Sequence, residues 1–190
     1  NDGRDVAAYD GDGSVGTLIQ YYGACDENGR LADKQDPLHG VVPFDVRTEG
    51  DRDTLVNLLD NDADRVLIDL PGGVLPELGR VIDGRPASVA ETARDAGYRP
   101  VVVIVITPMM ASVRSVRQVV ETFGDLCEYV VVKNGFYGNS DQFPLYDGYT
   151  DGHGNPVGGK GRAQLEEHGG ITVTMPALQS RTYALLDLYN

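Results

Sequence analysis

Val101-Val102-Val103-Ile104-Val105-Ile106 is an unbroken run of six β-branched residues. Side chains branched at Cβ lose rotamer freedom in a helix and pack well on a pleated surface, so the run reads as a strand. It does not alternate with polar residues, which is the pattern of a parallel sheet covered on both faces. Residues 100–107 therefore form one expected strand, and residues 5–9, 41–46, 65–70, 129–133 and 171–175 form five more. Helical spacing fills the intervals. Leu55, Leu58 and Leu59 share a face of 51–60, and Ser88 stands at the N-cap of 88–96. Val113, Val116, Val119, Val120 and Phe123 line one face of 112–123, and Tyr183, Leu185, Leu186 and Leu188 line one face of 179–188. Strand and helix alternate along the chain. The expected fold is α/β, a doubly wound and mostly parallel sheet with helices on both faces, built as a single domain over residues 1–190.

Two of these strands run into carboxylates. Val66-Leu67-Ile68 leads to Asp69, and Leu70-Pro71-Gly72-Gly73 then breaks the strand. The strand over 5–9 leads to Asp10-Gly11-Asp12. Ligands of open α/β sheets bind beyond the carboxyl ends of the strands, so these aspartates point to a cation and phosphates.

Charge narrows the partners. With 29 acidic against 16 basic residues the net charge is -13, and the average field of such a chain repels a nucleic-acid backbone. The densest basic cluster is Arg114 with Arg117, one helical turn apart, so no direct nucleic-acid binding is expected. No apolar run approaches the ~20 residues a membrane-spanning helix needs. Cys25 and Cys127 lack metal-type spacing. Two free thiols in a reducing cytoplasm is the default, with a disulfide as the alternative. Residues 139–161 hold Pro144, Pro156 and many glycines without periodicity. They read as a long surface loop that could serve as a lid or a partner site.

Other motifs compete with plain readings. Gly11-x-Gly13-x-x-Gly16 follows a strand, as a dinucleotide fingerprint does, but Asp12 would aim a carboxylate at the pyrophosphate. A glycine-rich turn is the plain account. Gly154-x-x-x-x-Gly159-Lys160 matches most of a phosphate-loop pattern, yet no expected strand precedes it and Gly161 stands where Ser or Thr would hold Mg²⁺. Asp10, Asp12, Asp69, Thr107 and Lys133 echo a phospho-acceptor receiver. Chain length and Pro71, close behind Asp69, oppose that reading. Ser14 lacks the glycine spacing of a hydrolase elbow, and His39, His153 and His168 read as surface residues.

Taken in order, the segments resemble the ParA/MinD group of P-loop ATPases with the deviant Walker A motif, especially its plasmid-encoded TraL-like branch. The resemblance runs over about residues 5–185. Val6-Ala7-Ala8-Tyr9-Asp10-Gly11-Asp12 is similar to the strand whose second aspartate belongs to switch I. Val66 to Pro71 is similar to the Walker B strand with its Asp-x-Pro. Val103 to Pro108 resembles the strand whose Thr-Pro end faces the nucleotide, Val130 to Asn134 the strand that delivers an adenine-contacting Asn, and Thr174 to Leu178 the turn beside the base. The resemblance implies ATP and Mg²⁺ as cofactors. Asp69 would hold Mg²⁺ through a water and Asp12 would orient the attacking water, both at the metal. Asp10, Thr107, Asn134 and Pro176 would line the nucleotide. It also implies a cytoplasmic homodimer, with a lysine reaching across the interface, that serves plasmid partitioning, positioning or transfer.

The family opens with a strand, a Lys-Gly-Gly-x-Gly-x-Gly-Lys-Ser/Thr loop and a helix, and that strand is normally central in the sheet. Nothing before residue 5 matches it. The expectation is a chain that is N-terminally incomplete or a decayed homologue. The rival expectation is a non-enzymatic α/β protein-binding module whose aspartates cap helices and form turns.

Overall fold

The computed structural model describes residues 3–13, 16–60, 63–81, 84–179 and 182. The chain divides into two units, residues 3–98 and 99–182 of the described chain.

The first unit is built on a parallel sheet in the order β2-β1-β3, with β1 at Val6–Asp10, β2 at Val42–Pro43 and β3 at Arg65–Asp69. The register sets Asp10 opposite Asp69. Four helices accompany these strands: α1 at Thr17–Tyr22, α2 at Arg52–Asn57, α3 at Leu75–Val81 and α4 at Ala87–Asp95. Ala7, Tyr9, Val41, Phe44, Val46, Leu55 and Leu58 form the buried apolar core. Burial of such side chains contributes about 1.5–3 kcal/mol each.

Two expectations need correction here. The strand over 41–46 shrinks to two residues. The Phe44 N–H still donates to the Asp10 carbonyl at 2.8 Å, but Asp45 then leaves the parallel ladder to bridge Asp12 in antiparallel fashion. Ser88 is not an N-cap. Pro86 holds that position, and Ser88 lies buried inside the first turn of α4 with its hydroxyl unpaired.

The second unit has a parallel sheet in the order β4-β5-β8, with β4 at Val101–Ile106, β5 at Glu128–Asn134 and β8 at Ile171–Met175. α5 at Met110–Phe123 buries Val113, Val116, Val120 and Phe123. α7 at Lys160–Glu167 buries Leu165 and meets α5 at Gly161, where an added Cβ would lie 3.5 Å from the Val113 carbonyl oxygen. Ile104, Ile106, Tyr129 and Val131 point into this core.

The strands thus lie in two three-stranded parallel sheets, and among the described residues no pairing joins β3 to β4. Coverage of both faces is not met in the second sheet. Val101, Val103, Val105, Ile171, Val173 and Met175 remain exposed.

Residues 139–161 are folded rather than structureless. They contain a short helix, α6, at Pro144–Asp147 and a hairpin of β6, Tyr149–Thr150, with β7, Pro156–Val157. Phe143 and Tyr146 are fully buried, and the Tyr146 hydroxyl hydrogen-bonds the Thr172 hydroxyl at 2.6 Å.

The amphipathic segment expected over 179–188 lies, apart from Gln179 and Thr182, outside the described residues, as do Ser14 and Val15. No helix among the described residues is long and apolar enough to cross a membrane.

Candidate functional site

At the carboxyl rim of the first sheet the structure brings Asp10, Asp12 and Asp69 together, and it gives each a different environment. Asp10 is fully buried. Its two carboxylate oxygens accept backbone N–H bonds, Oδ1 from Asp12 at 3.2 Å and Oδ2 from Ile19 at 3.0 Å. Ile19 is the third residue of α1, and its N-cap, Gly16, has no side chain to serve it. Asp10 therefore caps α1 from the end of β1. It also answers the glycine pattern that follows. The N–H groups that a dinucleotide pyrophosphate would need already face a protein carboxylate. Gly11 fits this crossing because it lacks a side chain: a Cβ there would meet the Asp69 carbonyl oxygen at 3.0 Å and Leu70 Cδ2 at 2.9 Å.

Asp12 has a cation of its own, Arg47, whose Nη1 lies 3.4 Å from Oδ1. Asp69 has none: no basic side chain pairs with it among the described residues. Partial desolvation, followed by the nearby charges of Asp10 and Asp12, pushes its carboxyl above the usual carboxylate range, against a smaller opposing hydrogen bond from the Leu70 backbone. Of three carboxylates, one is committed to the fold, one is paired, and one is held at a cost without a cation. Beside them lies an open cleft of about 380 Å³ lined by Gly13, Pro43, Phe44, Asp45 and Asp51. No group of three or more His, Cys, Asp or Glu side chains among the described residues is placed to hold a metal ion.

The carboxyl rim of the second sheet gathers Thr107, Asn134 and Pro176. Ile106 pairs with Lys133 and Asn134 with Met175, so the three residues leave adjacent strands together. The Thr107 N–H donates to the Ser112 hydroxyl at 2.9 Å, which ties the turn to the start of α5. Asn134 Oδ1 accepts the Phe136 N–H at 3.0 Å.

Lys133, one residue before Asn134, is buried. Its ammonium donates to both Asp147 oxygens and to the Ser140 carbonyl, each at 2.8 Å, and sits 5.5 Å and 5.8 Å from the ring centres of Phe143 and Tyr146. Sequence reasoning placed Lys133 at a strand end as a receiver lysine. The structure engages it in anchoring 139–161, and no periodic signal ties it to Asp147, fourteen residues away.

The remaining motifs resolve locally. In the Gly154–Lys160 stretch, Asp151 Oδ1 accepts the N–H groups of His153 and Asn155, each at 2.8 Å, and bonds from Asn155 and His153 hold its carboxyl below the usual range. The hairpin turn at 151–155 is filled by its own carboxylate. His39 meets Asp36 at 3.3 Å and His168 meets Asp125 at 2.8 Å, while both cysteines are free thiols, Cys25 exposed and Cys127 buried. Comparison of the chain with protein-family models, curated proteins and solved structures gave no match.

Proposed function

We propose that this chain is part of an ATP-binding, Mg²⁺-dependent hydrolase of the ParA/MinD type, with the carboxylate rim of the first unit on the phosphate side and the phosphate loop supplied from outside these 190 residues. One observation carries the reading. Asp69, the carboxylate without a cation, sits at the carboxyl end of β3, and β3 pairs only with β1 among the described residues. No strand among the described residues pairs with its other edge. A strand added in parallel there ends beside Asp69, and the loop that follows it begins there. β4 likewise pairs only with β5 among the described residues.

The residues present fit a divalent cation to this extent. Asp69 has the charge to hold Mg²⁺ and no basic partner among the described residues, and a cation would relieve its crowding by Asp10 and Asp12. Asp10 is not a ligand in this reading, since backbone N–H groups take both of its oxygens. Asp12 would have to exchange Arg47 for the site. Bound Mg²⁺ supplies charge neutralisation at the phosphates. Taken by itself, the rim of the second unit offers Asn134, Pro176 and Thr107, the residues that the resemblance assigns to a base. A homodimeric, cytoplasmic protein of plasmid partitioning, positioning or transfer goes with this reading.

A second reading, a non-enzymatic protein-binding module, is favoured by the exposed apolar face of the second sheet and by the anchored excursion over 139–161.

Calorimetry with ATP·Mg²⁺ tests the proposal. The 190 residues alone should give no measurable binding. Without a phosphate-loop cradle of N–H groups and its lysine, the triphosphate charge meets three aspartates, in a chain already at -13. The chain extended through the sequence preceding Asn1 should bind. Tight binding by the 190 residues alone, or a preceding sequence without a glycine-rich Lys-Ser/Thr loop, contradicts the proposal.

A further inference from the structure

The register of the second sheet stacks Val103, Val130 and Ile171 in one row across its three strands, and Val105, Val132 and Val173 in the next. These rows lie on one face. Val103, Val105 and Ile171 are 59%, 54% and 57% exposed, whereas Ile104 and Ile106, on the opposite face, are 7% and 0%. Among strand positions of the exposed parity the one charged residue is Glu128, at the amino edge, where Arg99 meets it at 3.3 Å. Parallel sheets are apolar on both sides because both are ordinarily covered, and an apolar patch larger than roughly a few hundred Å² marks a surface that binds something. The helices described in this unit are engaged elsewhere. α5 and α7 pack on each other over Ile104, Ile106 and Val131, and α6 joins them with Tyr146 bonded to Thr172.

The chain beyond β8 has the matching chemistry. Residues 182–190 hold a single charged side chain, Asp187, in a chain that is 24% charged. Tyr183, Leu185, Leu186 and Leu188 share one helical face, and Asp187 falls off it. α5 covers the opposite side of the sheet with the same number of apolar side chains, Val113, Val116, Val120 and Phe123. β8 ends at Met175 and Thr182 is already helical, so at most residues 176–181 connect them, within the about 2–6 residues usual between strand and helix. A helix of about ten residues is about 15 Å long and 10–12 Å across. Three strands span about 10 Å and a five-residue strand about 17 Å, so one such helix fits the face. We propose that residues 179–188 pack as a helix across this face, with Leu185 and Leu186 on the rows of Val103 and Val105. The second unit then has helices on both faces of its sheet. The packing needs no nucleotide, and a face closed by its own chain offers no site there to a partner protein.

Methyl NMR of the 190-residue chain tests this. Nuclear Overhauser effects should join the Val103 and Val105 methyls to those of Leu185 and Leu186. A soluble gadolinium chelate should leave Val103 and Val105 nearly as sharp as Ile104 and Ile106, while it broadens Met109, which is 71% exposed. In the double variant Leu185→Asp/Leu186→Asp the Val103 and Val105 methyls should broaden as Met109 does, because a carboxylate does not enter an apolar interface. Ile104 and Ile106 should stay sharp there, which shows that the variant is folded. If it does not fold, the wild-type Overhauser effects decide alone. Broadening of Val103 and Val105 in the wild type overturns the proposal. So does protection that survives in the folded double variant. Overhauser effects found only between differently labelled chains in a mixed sample overturn it too, because a second copy would then be the cover.

Discussion

Replacing Asp147 by alanine removes both oxygens that hold the Lys133 ammonium. The Lys133 side chain is only 9% exposed, against 23% for Asp147. After the substitution the ammonium keeps one carbonyl, that of Ser140, and two ring faces, which attract it by about 1 kcal/mol or more each when desolvated. A buried charge that loses its counter-ion typically costs about 3–5 kcal/mol, and the lower end, about 3 kcal/mol, suits a pair at the edge of burial. Lys133→Met differs. Its unbranched side chain keeps much of the packing against Phe143 and Tyr146, and Asp147 retains Arg162 at 3.3 Å. The cost should be about 1–2 kcal/mol, close to the loss of ordinary charged hydrogen bonds. With an m value of about 2 kcal/mol/M in urea, the midpoint should fall by about 1.5 M for Asp147→Ala and by about 0.5–1 M for Lys133→Met. The double variant should cost less than the sum, because neither group is then stranded. Urea unfolding followed by far-ultraviolet circular dichroism reads all three. Equal costs, a larger cost for Lys133→Met, or strict additivity would refute the argument that an ammonium depending on Asp147 pins 139–161 to the sheet.

Asp69→Asn should raise the urea midpoint at pH 7. The folded carboxyl sits above its unfolded value of 3.8, so ionisation penalises the folded state as pH rises through that range, and the gain should vanish as pH falls below 3.8. A lower midpoint at pH 7 would mean that Asp69 is paired. Asp10→Ala strands two part-buried N–H groups and should cost about 1–3 kcal/mol in all by urea unfolding, so a change under about 0.5 kcal/mol would remove its role as the cap of α1. Ile106→Ala should cost about 2–5 kcal/mol, whereas Phe136→Ala, at an exposed side chain, should stay within about 0.5 kcal/mol. Similar losses at both positions would show that Phe136 is covered in solution.

Five of the six expected strands form within a residue or two, because runs such as Val101–Ile106 and Val66–Ile68 leave few alternatives to a strand, whereas the two-residue strands β6 and β7 are too short to show a pattern. The sixth failed because Asp45 leaves the parallel ladder to bridge Asp12, a pairing between distant residues that no local pattern carries. Which face of β4 is covered was not legible: Val103 and Ile104 are equally apolar, and only the position of α5 separates them. The grouping of Asp10, Asp12 and Asp69 followed from their common position after an apolar run. Their division of labour did not, since it depends on the N–H of Ile19 and on Arg47, 35 residues from Asp12. Phe143, Tyr146 and Asp147 were hidden in a stretch too short and too rich in glycine to show a period.

Turnover by the extended chain tests the central claim most directly, that Asp69 is the cation-holding carboxylate of a phosphate site. Phosphate release from ATP, measured with and without Mg²⁺, should be Mg²⁺-dependent in the wild-type chain and absent in Asp69→Ala, because the ion loses its anchor. Asp69→Ala should meanwhile fold at least as stably as wild type, since it removes a crowded charge. Unchanged turnover in a folded Asp69→Ala chain would make Asp69 a strand-end residue without a catalytic part and would contradict the account.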